Sequence, residues 1–427
     1  MGKTISTLIE ELKAGVHDSR LKELYVDEAL VPSQRERYIA ALKEFEKLYG
    51  EKEVEIYSAS GRSEIGGNHT DHQFGKVMAT SVNIDTLAVV APRTDSIVKM
   101  KSEGYPALTV DIANLEVVKK EEGTTAGLIR GVAAGIKNRG YEIGGFEGYA
   151  TSQVLSGSGL SSSAAYEVLI GNIISGIYND CKLDSVLIAK IGQYAENVYF
   201  GKPCGLMDQM ACSVGGLIHI DFENPEEPIV EKVNVDFENF HHSLCIVDTK
   251  GSHADLTDEY AAIPEEMKKV AAFFGKSVLR EVKESEFNRN IPAVRRACGD
   301  RATLRAFHLF DENRRVDEQY EALNKGDFNE FKRLVKESGN SSYKFLQNVY
   351  SSRKTGEQSV SIGLVVSEEI LGDHGVARVH GGGFAGTIQA FVPDDLVDAY
   401  KTGMENVFGK GACYVLKVRP IGGCKVM

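Results

Sequence analysis

One short string, GSGLSSSAAYEV at residues 157–168, constrains this chain more than any other stretch. Its glycines let the backbone fold closely around an anion, and small hydroxyls crowd the turn. An apolar run, SSSAAYEVLIGNIISGIY, follows at once with helical spacing. A helix N-terminus presents free N–H groups and the positive end of a dipole, which suits a phosphate. An ordinary serine cap would need far less than this full string.

Phosphoryl transfer needs cradled phosphates, a divalent cation and a group beside the attacking hydroxyl. A serine hydroxyl and a carboxylate are natural Mg²⁺ ligands, because that ion prefers oxygen. Ser163 and Glu196 are candidates, although a lone helical glutamate such as Glu196 is by default a solvated residue. In PCGLMDQMACSVGG, Asp208 sits among small and apolar neighbours. Burying such a charge costs several kcal/mol, on the order of 3 to 5, unless it is paired. Asp208 is therefore either a paired catalytic acid or a capping aspartate. The loop GRSEIGGNHTDHQFG, residues 61–75, packs Arg62, Glu64, Asn68, His69, Asp71 and His72 among glycines. That density suits polyol recognition, since each sugar hydroxyl wants a donor and an acceptor. The spacing of His69 and His72 is a weak metal signal.

Two other Gly-rich strings fail as nucleotide motifs. GGGFAG, at residues 381–386, contains G-x-G-x-x-G but leaves too little chain behind it for a βαβ unit. Gly275, Lys276 and Ser277 end like a Walker A loop, but Val270 stands where its first glycine belongs.

Composition narrows the class. With 427 residues and 42% hydrophobic content, the chain is too long for one core and reads as two domains. A net charge of −12 argues against a nucleic-acid or anionic-membrane partner. Seven scattered cysteines without a CxxC pair read as free thiols in a reducing cytoplasm, with no structural zinc site. The charged N-terminus has no secretory h-region; Gly2 and Ser6 match a myristoylation pattern, read here as chance. No run of about 18 apolar residues is present to span a membrane. Nothing specifies an oligomer, and a monomer is the expectation.

Residues 4–50 read as helices, 76–93 as strand, 96–112 as strand around a Gly-Tyr-Pro turn, and about 125–138 as helix. Helices are expected again at 161–178, at 185–200 and through most of 258–350, with strands at 216–224 and 242–250, and 377–393 reads as strand, Gly-rich turn, then strand or helix. The mixture lacks a steady βαβ rhythm, which favours an α+β design over a doubly wound sheet. Acidic and proline residues cluster near 221–240, placing the domains at 1–225 and 226–427.

Together these segments resemble the galactokinases, within the larger family of galactose, homoserine, mevalonate and phosphomevalonate (GHMP) kinases. GRSEIGGNHTDHQFG is similar to the sugar signature, SGSGLSSSAA to the phosphate loop and HGGGFAG to the C-terminal Gly-rich signature. CGLMDQ and HADLTDEY add to the likeness, and RAFHLFDENRRV and FKRLVKESGNSSY carry weaker similarity. The resemblance implies a two-domain α+β fold with the active site in the cleft between domains. It implies an enzyme using ATP and Mg²⁺ to phosphorylate the anomeric hydroxyl of galactose. Asp208 matches the catalytic aspartate and Arg62 its arginine partner. Ser163 and Glu196 match the magnesium ligands. His69, Asp71 and Tyr260 match sugar-hydroxyl contacts, and Gly205 lies against the sugar. Gly157, Ser158, Gly159, Leu160, Ser161 and Ser162, leading into Ser163, match the ATP phosphate cradle.

The sugar signature departs from the family at three positions. The family glutamate that contacts the 6-hydroxyl is Asn68, the family asparagine is Glu64, and the family tyrosine is His72. A glutamate would repel a 6-carboxylate by about 4 kcal/mol at ~4 Å and an effective dielectric of ~20. A neutral Asn68 removes that repulsion, so a uronic-acid (galacturonate-type) or other hexose 1-kinase is an alternative reading; Asn68 holding the same hydroxyl is the plainer one. A non-catalytic sugar and ATP sensor is a third, opposed by the intact phosphate loop, Arg62 and Asp208.

Overall fold

The β-branched stretch after the sugar signature forms one long strand, Lys76–Pro92, around which the first half is built. The computed structural model describes residues 2–154, 159–235, 237–252 and 255–427. Alternate residues of a strand face opposite sides. Ala88 and Val90 face a core shared with helices Thr125–Lys137, Ser162–Asn179 and Ser185–Tyr194. Leu87, Val89 and Ala91 face the N-terminal helices Ile5–Lys13, Asp18–Tyr25 and Val31–Tyr49. Burial on both faces explains why the end of this strand, residues 87–91, reads as an unbroken apolar run rather than an alternating one. The N-terminal extension thus supplies the second covering layer.

Among the described residues, the first sheet has nine strands. Lys3–Thr4, Glu53–Gly66, Lys76–Pro92, Phe146–Ser152, Ile97–Ser102 and Leu108–Asp111 lie side by side. Leu217–Asp221 pairs with the front half of Lys76–Pro92 and carries Ile229–Val233 on its far edge. Cys424–Lys425 returns from the C-terminus to pair with Glu53–Gly66. The second sheet is antiparallel and orders Val376–His380, Thr387–Pro393, His242–Asp248 and Cys413–Leu416.

These two sheets and their helices make a two-domain α+β structure. The expected division after residue 225 falls inside the hairpin formed by Leu217–Asp221 and Ile229–Val233, and the chain end crosses back into the first sheet. A buried Asp85 ties the crossing together. It accepts hydrogen bonds from Tyr25 (2.8 Å) and Arg37 (2.6 Å) of the N-terminal helices, and from Arg419 (3.2 Å) of the returning tail. Among the described residues, no helix is long and apolar enough to cross a membrane.

Two features of the strand Glu53–Gly66 prepare the site. Its register against Lys76–Pro92 shifts between Ser60 and Arg62 and again between Glu64 and Gly66. Such irregularities re-aim side chains out of the regular pleat, and here they bracket Arg62 and Glu64.

Candidate active site

Arg62 and Asp208 meet, although 146 residues separate them. Arg62 Nε donates to Asp208 Oδ1 at 2.7 Å and Nη2 donates to Oδ2 at 2.8 Å, a two-point guanidinium–carboxylate fork. Asp208 stands in the first turn of the helix Met207–Val214, where the dipole favours an anion. Ser161 also donates to its Oδ2, at 2.7 Å. Burial alone would raise the carboxyl's pKa, but the Arg62 charge and these hydrogen bonds outweigh it and hold it below the usual range. The carboxylate is ionised, and 29% of the Asp208 side chain remains exposed, so a substrate can reach it.

The phosphate-loop expectation is partly visible. Gly157 and Ser158 lie outside the described residues. Gly159 has φ +73°, and Ser161, at φ 58°, precedes the helix Ser162–Asn179 in a left-handed conformation. Arg62 grips this loop twice, donating from its backbone N–H to Leu160 O (3.2 Å) and from Nη1 to Gly159 O. Ser163 Oγ donates to Glu196 Oε1 at 3.0 Å, so the two expected oxygen ligands are neighbours. Glu196 lies in the π-helical turn Ala195–Phe200 that ends its helix, and such turns recur at functional sites.

Among the expected sugar contacts, Gly205 presses so closely on Asp71 that a Cβ there would overlap the carboxylate. Burial and the nearby Asp208 charge push the Asp71 carboxyl up to about 6. His69 donates from Nε2 to Gly382 O (3.0 Å), and Tyr260 donates to Gly383 O (2.9 Å). Burial lowers the His69 pKa to about 4, so this imidazole is neutral. Both residues clamp the turn at 381–386, where Gly381, Gly383, Phe384 and Gly386 all have positive φ. The string that mimics a dinucleotide motif is therefore a tight hairpin turn between Val376–His380 and Thr387–Pro393.

Asn68 and Glu64 depart from expectation. Neither exposes more than 2% of its surface. Asn68 Nδ2 donates to Glu64 Oε1 (3.1 Å) and Gly381 O (2.7 Å), and its Oδ1 accepts from Asn348 Nδ2 (2.8 Å). Glu64 in turn accepts from the buried Arg378 at 2.9 Å. Every polar atom of Asn68 is engaged inside the protein. The acidic group missing at 68 stands beside it at 64, neutralised by Arg378. The loop is also held by the helix Asp300–Asn324. Its His308 donates to Asn68 O (2.8 Å), and its Glu312 accepts from the Gly67 N–H (3.2 Å).

Residues 43–92 match the galactokinase galactose-binding signature, and residues 127–216 match the GHMP kinase N-terminal domain. A galactokinase of Clostridium tetani is 33% identical over 379 residues, covering 86% of this chain and 91% of that one. The chain belongs to the galactokinase family.

As a galactokinase-family member it is a sugar kinase. Its fold superposes on the crystal structure of Lactococcus lactis galactokinase complexed with galactose, with TM-score 0.78, 25% identity and coverage of 90% of this chain and 98% of that one. The fold alone is shared with Methanococcus jannaschii mevalonate kinase, at TM-score 0.61, 14% identity and coverage of 85% and 98%. Sequence reading passed over His308, Glu312, Arg378 and Asn348 as site-shaping residues of this galactokinase relative. The weakly similar segment RAFHLFDENRRV was the available signal for the first two. Arg378 and Asn348 carried none, since their partners lie 314 and 280 residues away.

Proposed function

We propose that this kinase transfers the γ-phosphoryl group of ATP to the anomeric hydroxyl of galactose, giving galactose 1-phosphate and ADP. The observation that carries this reading is a single carboxylate, Asp208, held by Arg62 and also touched by Ser161 at the N-terminus of the helix Ser162–Asn179. A hydroxyl resting on Asp208 lies beside the place where a helix N-terminus gathers phosphate oxygens.

The lowered pKa makes Asp208 a weak base. Phosphoryl transfer has a loose transition state in which the nucleophile needs little early deprotonation. Asp208 therefore orients the O1 hydroxyl and takes its proton late. Arg62 keeps that carboxylate ionised and places positive charge against the transferring group. Asp71, backed by Gly205, accepts sugar hydroxyls.

The donor set fits Mg²⁺. Ser163 and Glu196 offer adjacent hard oxygens, and this ion takes its remaining ligands from phosphates and water. Ser163 and Glu196 would hold it, and when bound it neutralises charge on the phosphate oxygens. Lys202, 3.2 Å from Glu196 Oε1, adds a cation at the same end.

The uronate alternative rested on a free Asn68 amide, and both hydrogens of that amide are engaged by Glu64 and Gly381. Turnover with ATP and a panel of galactose, galacturonate, glucuronate and N-acetylgalactosamine tests the assignment, with galactose expected to give the highest kcat/KM. Asp208→Ala should abolish turnover while sugar binding persists. Retained turnover would remove Asp208 from this role, and a wild-type chain that binds both ligands without turnover would be a sensor.

A further inference from the structure

Gln209 follows Asp208 directly but faces the other way, since successive helical residues diverge by about 100°. It is fully buried. Its Nε2 donates to Glu196 Oε2 at 2.8 Å and to Glu167 Oε2 at 2.9 Å. The two hydrogens of one amide thus join carboxylates from two further elements, the π turn Ala195–Phe200 and the helix Ser162–Asn179. With Oε2 of Glu196 occupied in this way, its Oε1 is the oxygen turned to Ser163 (3.0 Å) and Lys202 (3.2 Å).

We infer that Gln209, anchored by Glu167, is a positioning residue that aims one oxygen of Glu196 at the nucleotide–metal end of the site. The inference rests on the proposed roles of Glu196 and Ser163. The helix Met207–Val214 then serves both substrates, presenting Asp208 to the sugar and Gln209 to the carboxylate on the nucleotide side.

Several observations favour this over simple core filling. Glu167 and Gln209 are both fully buried, yet Glu167 Oε1 and Gln209 Oε1 have no protein partner. An apolar pair of the same size would avoid that cost. The π turn carries one residue more per turn than an α-helix, so the aim of Glu196 depends on side-chain bracing. Gly192, on the same helix, passes close to both braces: a Cβ there would lie 3.1 Å from Gln209 Cγ and 3.2 Å from Glu167 Oε2.

The test is affinity for Mn²⁺·adenylyl-imidodiphosphate in the full chain, followed by the paramagnetic signal of free Mn²⁺. Galactose affinity and the thermal midpoint are measured alongside. Gln209→Met is expected to weaken Mn²⁺–nucleotide binding about tenfold and to raise the Mg²⁺ concentration for half-maximal turnover by a similar factor. Galactose affinity should stay within twofold. Glu167→Met should reproduce the effect, and Glu167→Gln, which keeps an acceptor oxygen, should restore the parent value. Unchanged Mn²⁺–nucleotide affinity in folded Gln209→Met, or parallel loss of sugar and nucleotide binding, overturns the inference. If Gln209→Met does not fold, the two Glu167 variants decide it by the same criterion. Glu196→Ala separates the two levels. If it leaves nucleotide–metal binding intact, the underlying assignment of Glu196 fails. If it weakens binding while the Gln209 and Glu167 variants do not, only the positioning inference fails.

Discussion

Replacing Arg62 with Met keeps much of the side chain's length and removes the cation that holds Asp208 ionised. Two unit charges ~4 Å apart interact by about 4 kcal/mol at an effective dielectric of ~20. Asp208 is 29% exposed, so water replaces part of what is lost. Halving the figure leaves about 2 kcal/mol, or about 1.5 pKa units. The sign follows from the lowered pKa of the native carboxylate. Asp208 works ionised, so activity is present above its pKa and falls as pH drops through it. Without Arg62 the pKa rises, and the acid limb of the kcat/KM profile should move about 1.5 units toward neutral pH. At pH above that limb, kcat should still be reduced by about 10²–10³, because charge stabilisation of the transferring phosphoryl is lost as well. Arg62→Lys retains the charge but not the fork, so its limb should move little while its rate falls. The assay is a pH series of initial rates at varied galactose and saturating ATP. An acid limb in Arg62→Met that coincides with the parent's would refute the electrostatic reasoning, whatever happened to the rate.

Gly205→Ala drives a methyl into the Asp71 carboxylate, so the sugar KM should rise more than tenfold while nucleotide affinity, measured by titration without sugar, holds. The Asp71 carboxyl titrates at about 6; sugar affinity should strengthen as pH rises through that value, and calorimetry on Asp71→Asn should lose the dependence. Asn68→Glu sets a second buried carboxylate against Glu64 with one arginine between them, and should cost about 3 kcal/mol or more in a urea titration; unchanged stability with improved galactose turnover would put position 68 back in the pocket. Asp85→Ala strands the buried Arg419 and should cost about 3 to 5 kcal/mol by the same measurement.

What the residues determine by themselves is local. GSGLSSSAA demands a tight turn into a helix because small residues and an apolar run leave few other solutions, and the helix Ser162–Asn179 follows it. HGGGFAG demands a turn between strands for the same reason, and the loop at 61–75 declares polyol chemistry through its density of paired donors and acceptors. Tertiary structure alone decided which neighbours those polar groups meet. Asn68 and Asp71 stand three residues apart in one loop, yet Asn68 is consumed by Asn348, Gly381 and Glu64 while Asp71 is left against Gly205. It also decided that residue 225 would fall inside a hairpin, because the chain end returns to pair with Glu53–Gly66. The reason is one of range. Turn and helix propensities act over a few residues, whereas a side chain's direction is fixed by hydrogen-bond partners that folding brings from hundreds of positions away.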